Sequence, residues 1–75
     1  MKKAILENKI AGTGKVFIFK SPHTQSKVLD VADNGTKCEI LKGPMPTDDR
    51  YPGIYLYKIK TAHGITGYVN RKYVK

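Results

Sequence analysis

Apolar and polar residues alternate in short runs broken by turn signals, which predicts strands rather than helices. Val16-Phe17-Ile18-Phe19 is β-branched and aromatic and runs into Lys20-Ser21-Pro22, so it reads as a strand ending in a turn. Asn34-Gly35 is a turn dipeptide whose residues both tolerate positive φ. Beyond it, Thr36, Cys38 and Ile40 point to one face, while Lys37 and Glu39 point to the other. From Ile54 to Lys60 the alternation resumes, with Tyr55, Tyr57 and Ile59 on one face and Leu56, Lys58 and Lys60 opposite. His63-Gly64 marks a further hairpin turn and Gly67-Tyr68-Val69 a returning strand. Gly64 through Val74 as a whole reads as turn, short strand, one-turn helix and closing strand.

Three stretches are less regular. Between Gln25 and Asp33 the apolar Val28, Leu29, Val31 and Ala32 suit a strand or a short helical turn, and the flanking turn signals favour a strand. Lys42 to Gly53 holds three prolines and two glycines, so it is expected to be a surface loop outside any ladder. Residues 1–14 read as a frayed helix start, an N-terminal extension or an extra edge strand.

Five or six short strands with no helix long enough to cover them bury a core only by curling the sheet on itself. The expected fold is therefore all-β, a small barrel occupying residues 15–75. Its predicted interior is Val16, Ile18, Val28, Val31, Cys38, Ile40, Tyr57, Ile59 and Val69, with Tyr55 at one rim. With 75 residues there is one domain at most. A chain this short withdraws only about 60–65% of its surface from water on folding, so the core is thin.

Composition then removes several function classes. Hydrophobic residues are 40% and charged residues 27%, too apolar for a disordered chain. No run approaches the roughly 18–20 apolar residues of a membrane span. Met1-Lys2-Lys3-Ala4-Ile5-Leu6 imitates a signal-peptide start, but Glu7, Asn8 and Lys9 interrupt it. A cytoplasmic location is expected if Met1 is the native start, and a cell-surface or secreted one if the chain is a module of a longer exported protein. The single Cys38 excludes an internal disulfide and a multi-cysteine zinc site. On an inward strand position, away from His23 and His63 at turns, it lacks the partner a cysteine nucleophile needs. Two histidines without a converging acid make no zinc site, and no phosphate loop or catalytic carboxylate pair is present. Neither catalytic activity nor a cofactor or metal is expected.

Charge changes the picture more. Fourteen Lys and Arg against six Asp and Glu leave a formal +8, and every acid lies at or before Asp49. Arg50, Lys58, Lys60, Arg71, Lys72 and Lys75 are unbalanced in sequence. Such a field attracts polyanions, whether nucleic acid, anionic lipid or wall polymer, and equally suits a merely soluble lysine-rich surface. Phe17 and Phe19 alternate outward if Val16 and Ile18 point inward. They are either covered by Ile5 and Ile10 of the N-terminal segment or form a partner surface.

The order Val16-Phe17-Ile18-Phe19-Lys20-Ser21-Pro22, Ser26-Lys27-Val28-Leu29, Gly35-Thr36-Lys37-Cys38-Glu39-Ile40-Leu41, Tyr57-Lys58-Ile59-Lys60 and Gly64-Ile65-Thr66-Gly67-Tyr68-Val69-Asn70-Arg71-Lys72-Tyr73-Val74 resembles the bacterial SH3 domain. The closing Gly-Tyr-Val-x-x-x-Tyr-Val and the Gly-Thr-Lys turn carry most of the likeness, which covers about residues 15–75. It implies an SH3-like barrel of five to seven strands with a one-turn 3-10 helix near its end. Such a domain serves as a binding or targeting module and often recognises peptidoglycan. Three features depart from the family pattern. Phe19-Lys20-Ser21-Pro22 stands where an Arg-Ser-Gly-Pro turn is usual, Leu56 stands where a Trp is frequent, and the segment 42–53 is longer and richer in proline. By the resemblance, Tyr51, Asn70 and Tyr73 would form a shallow groove for extended or proline-rich peptides, edged by Arg71 and Lys72. Peptidoglycan peptides or a protein partner are the expected ligands of a monomeric module. The alternative is a basic barrel that holds nucleic acid through Lys58, Lys60, Arg71 and Lys72 beside stacking rings.

Overall fold

The computed structural model describes residues 2–9, 14–23, 27–47 and 53–75. Six strands fold in chain order: β1 (Lys2–Leu6), β2 (Lys15–Phe19), β3 (Val28–Asp33), β4 (Thr36–Pro46), β5 (Tyr55–Thr61) and β6 (Thr66–Asn70), followed by a 3-10 turn over Arg71–Tyr73. All pairings are antiparallel in one sheet of order β1-β4-β5-β6-β2-β3. This is the expected SH3-like barrel. The chain end closes onto the free side of β1: the Ile5 and Lys75 amides each donate to the other's carbonyl, at 3.1 and 2.8 Å, and Glu7 N–H donates to Tyr73 O at 2.7 Å. No helix among the described residues is long and apolar enough to cross a membrane.

Leu6, Val16, Ile18, Ala32, Cys38, Ile59 and Val69 are buried together, with Ile40, Tyr57 and Tyr73 half-buried against them. Full burial of each large aliphatic stabilises by about 1.5–3 kcal/mol, so these few side chains carry much of a thin core. The predicted interior is right at Val16, Ile18, Cys38, Ile59 and Val69. It is wrong at Val28 and Val31, which are 41% and 45% exposed. Strand β3 is apolar on both faces, so alternation could not choose its parity, and pairing with β2 does. Val16 sits opposite Ala32 and Phe17 opposite Val31, which turns Ala32 inward and Val31 outward, while a register shift between Ile18 and Phe19 brings Val28 opposite Phe19 and takes it off Ala32's face. Leu56, expected to face away from the interior, is fully buried outside the main cluster, while Tyr55 stays exposed.

Strand β4 also corrects the loop expectation, because it runs on through Met45 and Pro46 to pair with Leu56 and Tyr55. Register shifts at Ile40/Lys42 and Lys42/Met45 leave Gly43 and Pro44 outside the ladder, and an irregular position tolerates a proline that cannot donate. Gly43 makes this irregularity feasible. Its φ is +115°, and a Cβ there would stand 2.8 Å from the Leu56 carbonyl oxygen.

Polar pins hold the N-terminal segment. The Asn8 amide donates to Asn34 Oδ1 at 2.8 Å, Asn34 Nδ2 donates to Asn8 O at 3.1 Å, and Asn8 Nδ2 donates to Lys15 O at 2.8 Å. Buried polar groups are tolerated when paired in this way.

Candidate functional site

The 3-10 turn organises one end of the barrel. Asn70 leaves β6 in an extended conformation and accepts the Lys72 N–H on Oδ1 at 3.1 Å, which caps the turn. The residue expected in the groove therefore also has a local structural duty. Tyr73 closes the turn with its ring partly on the core, and the Lys72 ammonium lies 5.1 Å from the ring centroid. Between the turn and the segment after β1 lies a groove of about 380 Å³ lined by Glu7, Asn8, Lys9, Lys72 and Tyr73. At the first position of the turn, the Arg71 guanidinium stands 5.0 Å from the centroid of Tyr55, which pairs with Pro46 at the end of β4. Cation–ring contacts at such distances are worth roughly 0.5–1 kcal/mol when exposed. They also hold long side chains in place. One turn of helix thus holds two cations against two tyrosine rings, Tyr73 within the turn and Tyr55 on β5. Tyr51 lies outside the described residues.

Sequence reasoning placed Tyr55 at a rim without giving it a role, because the pairing of a ring with Arg71 is a tertiary event. Of the four cations expected as a basic edge, Lys58 and Lys60 are same-face neighbours on β5 and Arg71 and Lys72 lie in the 3-10 turn. Arg71 and Lys72 sit on different tyrosines, Lys58 is half-buried opposite Tyr68, and Lys60 is exposed opposite Glu39. Lys60 also joins lysines from the first half of the chain. The outer face of β1, β4 and β5 forms a groove of about 880 Å³ lined by Lys3, Ile5, Lys37, Glu39, Lys60 and Ala62, among others. No sequence signal joined these lysines, since β1 had no secure assignment.

Phe17 is 52% exposed opposite Val31, and Phe19 is half-buried between Val28 and Tyr68. The covering role considered for the N-terminal segment is not filled by Ile5, which lies in β1 at the other end of the sheet order and is itself exposed. Ile10 lies outside the described residues. Cys38 is buried, and desolvation pushes its thiol up from the ordinary value, the reverse of what a nucleophile requires. Among the described residues, no three His, Cys, Asp or Glu side chains gather to hold a metal.

No curated protein and no solved structure matches the chain. The family model of the bacterial SH3 domain matches residues 14–75. That match spans all but the first strand and the segment behind it, and the chain belongs to this family of binding and targeting modules.

Proposed function

We propose that this module performs no reaction and holds an extended peptide on the tyrosines around its 3-10 turn. The peptide would be a stem or bridge peptide of peptidoglycan, or a segment of a protein partner. The observation that carries the reading is the pair of rings, Tyr55 against Arg71 and Tyr73 against Lys72, gathered by one short turn capped by Asn70. Rings offer flat faces to an extended or proline-rich chain, and the cations beside them suit its carbonyls and carboxylates. Tyr51, in the segment next to Tyr55 in sequence, belongs to the same proposed groove. Attachment to a longer exported protein would place the module at the cell surface, where it raises the local concentration of its neighbours. Phe17 remains the proposed contact for a protein partner.

NMR titration with muropeptides and with short proline-rich peptides tests this reading. Amide shifts should cluster at Tyr55, Asn70, Arg71 and Tyr73, and Tyr73→Ala should weaken binding about tenfold. Absence of shifts there with every peptide would sink the proposal.

A further inference from the structure

We propose that the outer face of β1, β4 and β5 is a second binding site, for a single linear phosphodiester chain with short aliphatic links and no bases. The ladders place two rows across three strands. Lys3 lies opposite Glu39, which lies opposite Lys60. Ile5 lies opposite Lys37, whose carbonyl accepts the Ala62 N–H at 3.0 Å. With strands roughly 4.8 Å apart and same-face neighbours roughly 6.7 Å apart along a strand, Lys3, Lys37 and Lys60 form a triangle around Glu39. Their stems are long enough for all three ammonium groups to reach phosphates on one chain. Lys75 also borders the groove, but its ammonium is paired with Glu7 Oε1 at 3.5 Å.

Three observations select the occupant. Three ammonium groups against one carboxylate call for an anion, and the 28–33 region that carries Asp30 and Asp33 lies at the other end of the sheet order. A groove of about 880 Å³ has the volume of a small-ligand site, enough for a stretch of one extended chain. Its floor is aliphatic, with Ile5 and Ala62, and no Phe or Tyr ring lines it among the described residues. Bases of a single strand need ring platforms to stack on, whereas methylene links between phosphates pack on aliphatic side chains. The one ring present, the His63 imidazole, sits in the turn at the end of the groove. This site is separate from the tyrosine groove, and neither proposal depends on the other.

Fluorescence anisotropy with labelled poly(glycerol phosphate) of about ten units tests it, with oligothymidylate of equal charge as the second arm. Binding should be saturable and should weaken roughly 20-fold between 50 and 200 mM salt, as release of about three counterions requires. Lys37→Gln with Lys60→Gln should weaken it at least tenfold, the matching Lys→Arg pair should retain it, and Glu39→Gln should tighten it several-fold. Tyr73→Ala should leave it unchanged, so failure here is distinguishable from failure of the peptide reading. Equal or tighter binding of oligothymidylate, loss through Tyr73→Ala, or indifference to the double Lys→Gln variant would each overturn the proposal.

Discussion

The β4–β5–β6 meander with β1 and the β2–β3 hairpin solve the same problem in opposite ways. In the meander the strands are paired over most of their lengths, the chain end is stitched to β1, and the outer face carries Lys3, Lys37 and Lys60. The hairpin has its outward face occupied by Phe17, Leu29 and Val31, with Asp30 and Asp33 on the same strand as the last two. It joins β6 through one ladder pair among the described residues, Phe19 opposite Tyr68. The lesson is that a thin barrel need not be uniformly held. The hairpin depends on a steric seam at Gly67 and on the asparagine pins at Asn8 and Asn34, whereas the meander depends on continuous pairing.

Breaking the seam should have the largest effect. A Cβ at Gly67 would stand 2.5 Å from Ile18 Cγ2 and 2.7 Å from the Phe19 carbonyl oxygen, and the backbone atom cannot be moved without moving β2. Gly67→Ala should therefore cost about 3 kcal/mol, read as a lowered urea midpoint. If its stability equals the wild type's, the hairpin is not closed onto β6 as described.

Removing a pin should cost less and act more locally. Asn8→Ala deletes the hydrogen bond to Lys15 O and should cost about 1–2 kcal/mol. In hydrogen exchange, amides of β2 and β3 should lose protection while those of β4 and β5 keep theirs. Uniform loss across all six strands would erase the proposed contrast between the two regions.

Cys38 sharpens the comparison from the meander side. Desolvation raises its thiol above the ordinary 9.0, so the unfolded chain gives up this proton at lower pH than the folded one. The unfolded state then binds fewer protons, and stability falls with rising pH. The contribution is complete below about pH 9 and declines as pH climbs from there toward the folded thiol's value. Cys38→Ala should lower stability by about 1 kcal/mol at neutral pH, and its gap to the wild type should narrow above pH 9. A gap independent of pH would mean that the thiol is wet.

The smallest effects belong to the two outer faces. Phe17→Ser and Lys60→Gln should each change stability by less than about 0.5 kcal/mol, because neither side chain is buried. A larger loss from Phe17→Ser, measured by thermal melting, would show that the hairpin's apolar face is covered.

Much of this fold was legible because alternation reports directly on which residues can share a face. Val16 with Ile18, Cys38 beside Thr36 and Ile40, and the 3-10 turn after Asn70 all follow from local pattern and turn chemistry. Val31 was misplaced because β3 is apolar on both sides, so only its partner strand decides which side is in, and Val28 because a register shift between Ile18 and Phe19, which alternation does not report, sets it opposite Phe19. Met45 and Pro46 were read as loop because prolines argue against a ladder, and the glycine-supported irregularity beside them overrides that argument. The candidate site was less legible still. Asn70 and Tyr73 could be named by resemblance, but the pairing of Tyr55 with Arg71 joins residues sixteen positions apart in sequence.

From residue order alone came the class of fold, the positions of most strands and turns, the identity of most core side chains, and the excess of positive charge. All of these rest on interactions between near neighbours or on sums over the chain. Tertiary pairing decided the rest: the inward side of β3, the reach of β4, and the ring on which Arg71 settles. It also gathered lysines from β1, β4 and β5 onto one face, because strands distant in sequence lie side by side only once the sheet has closed.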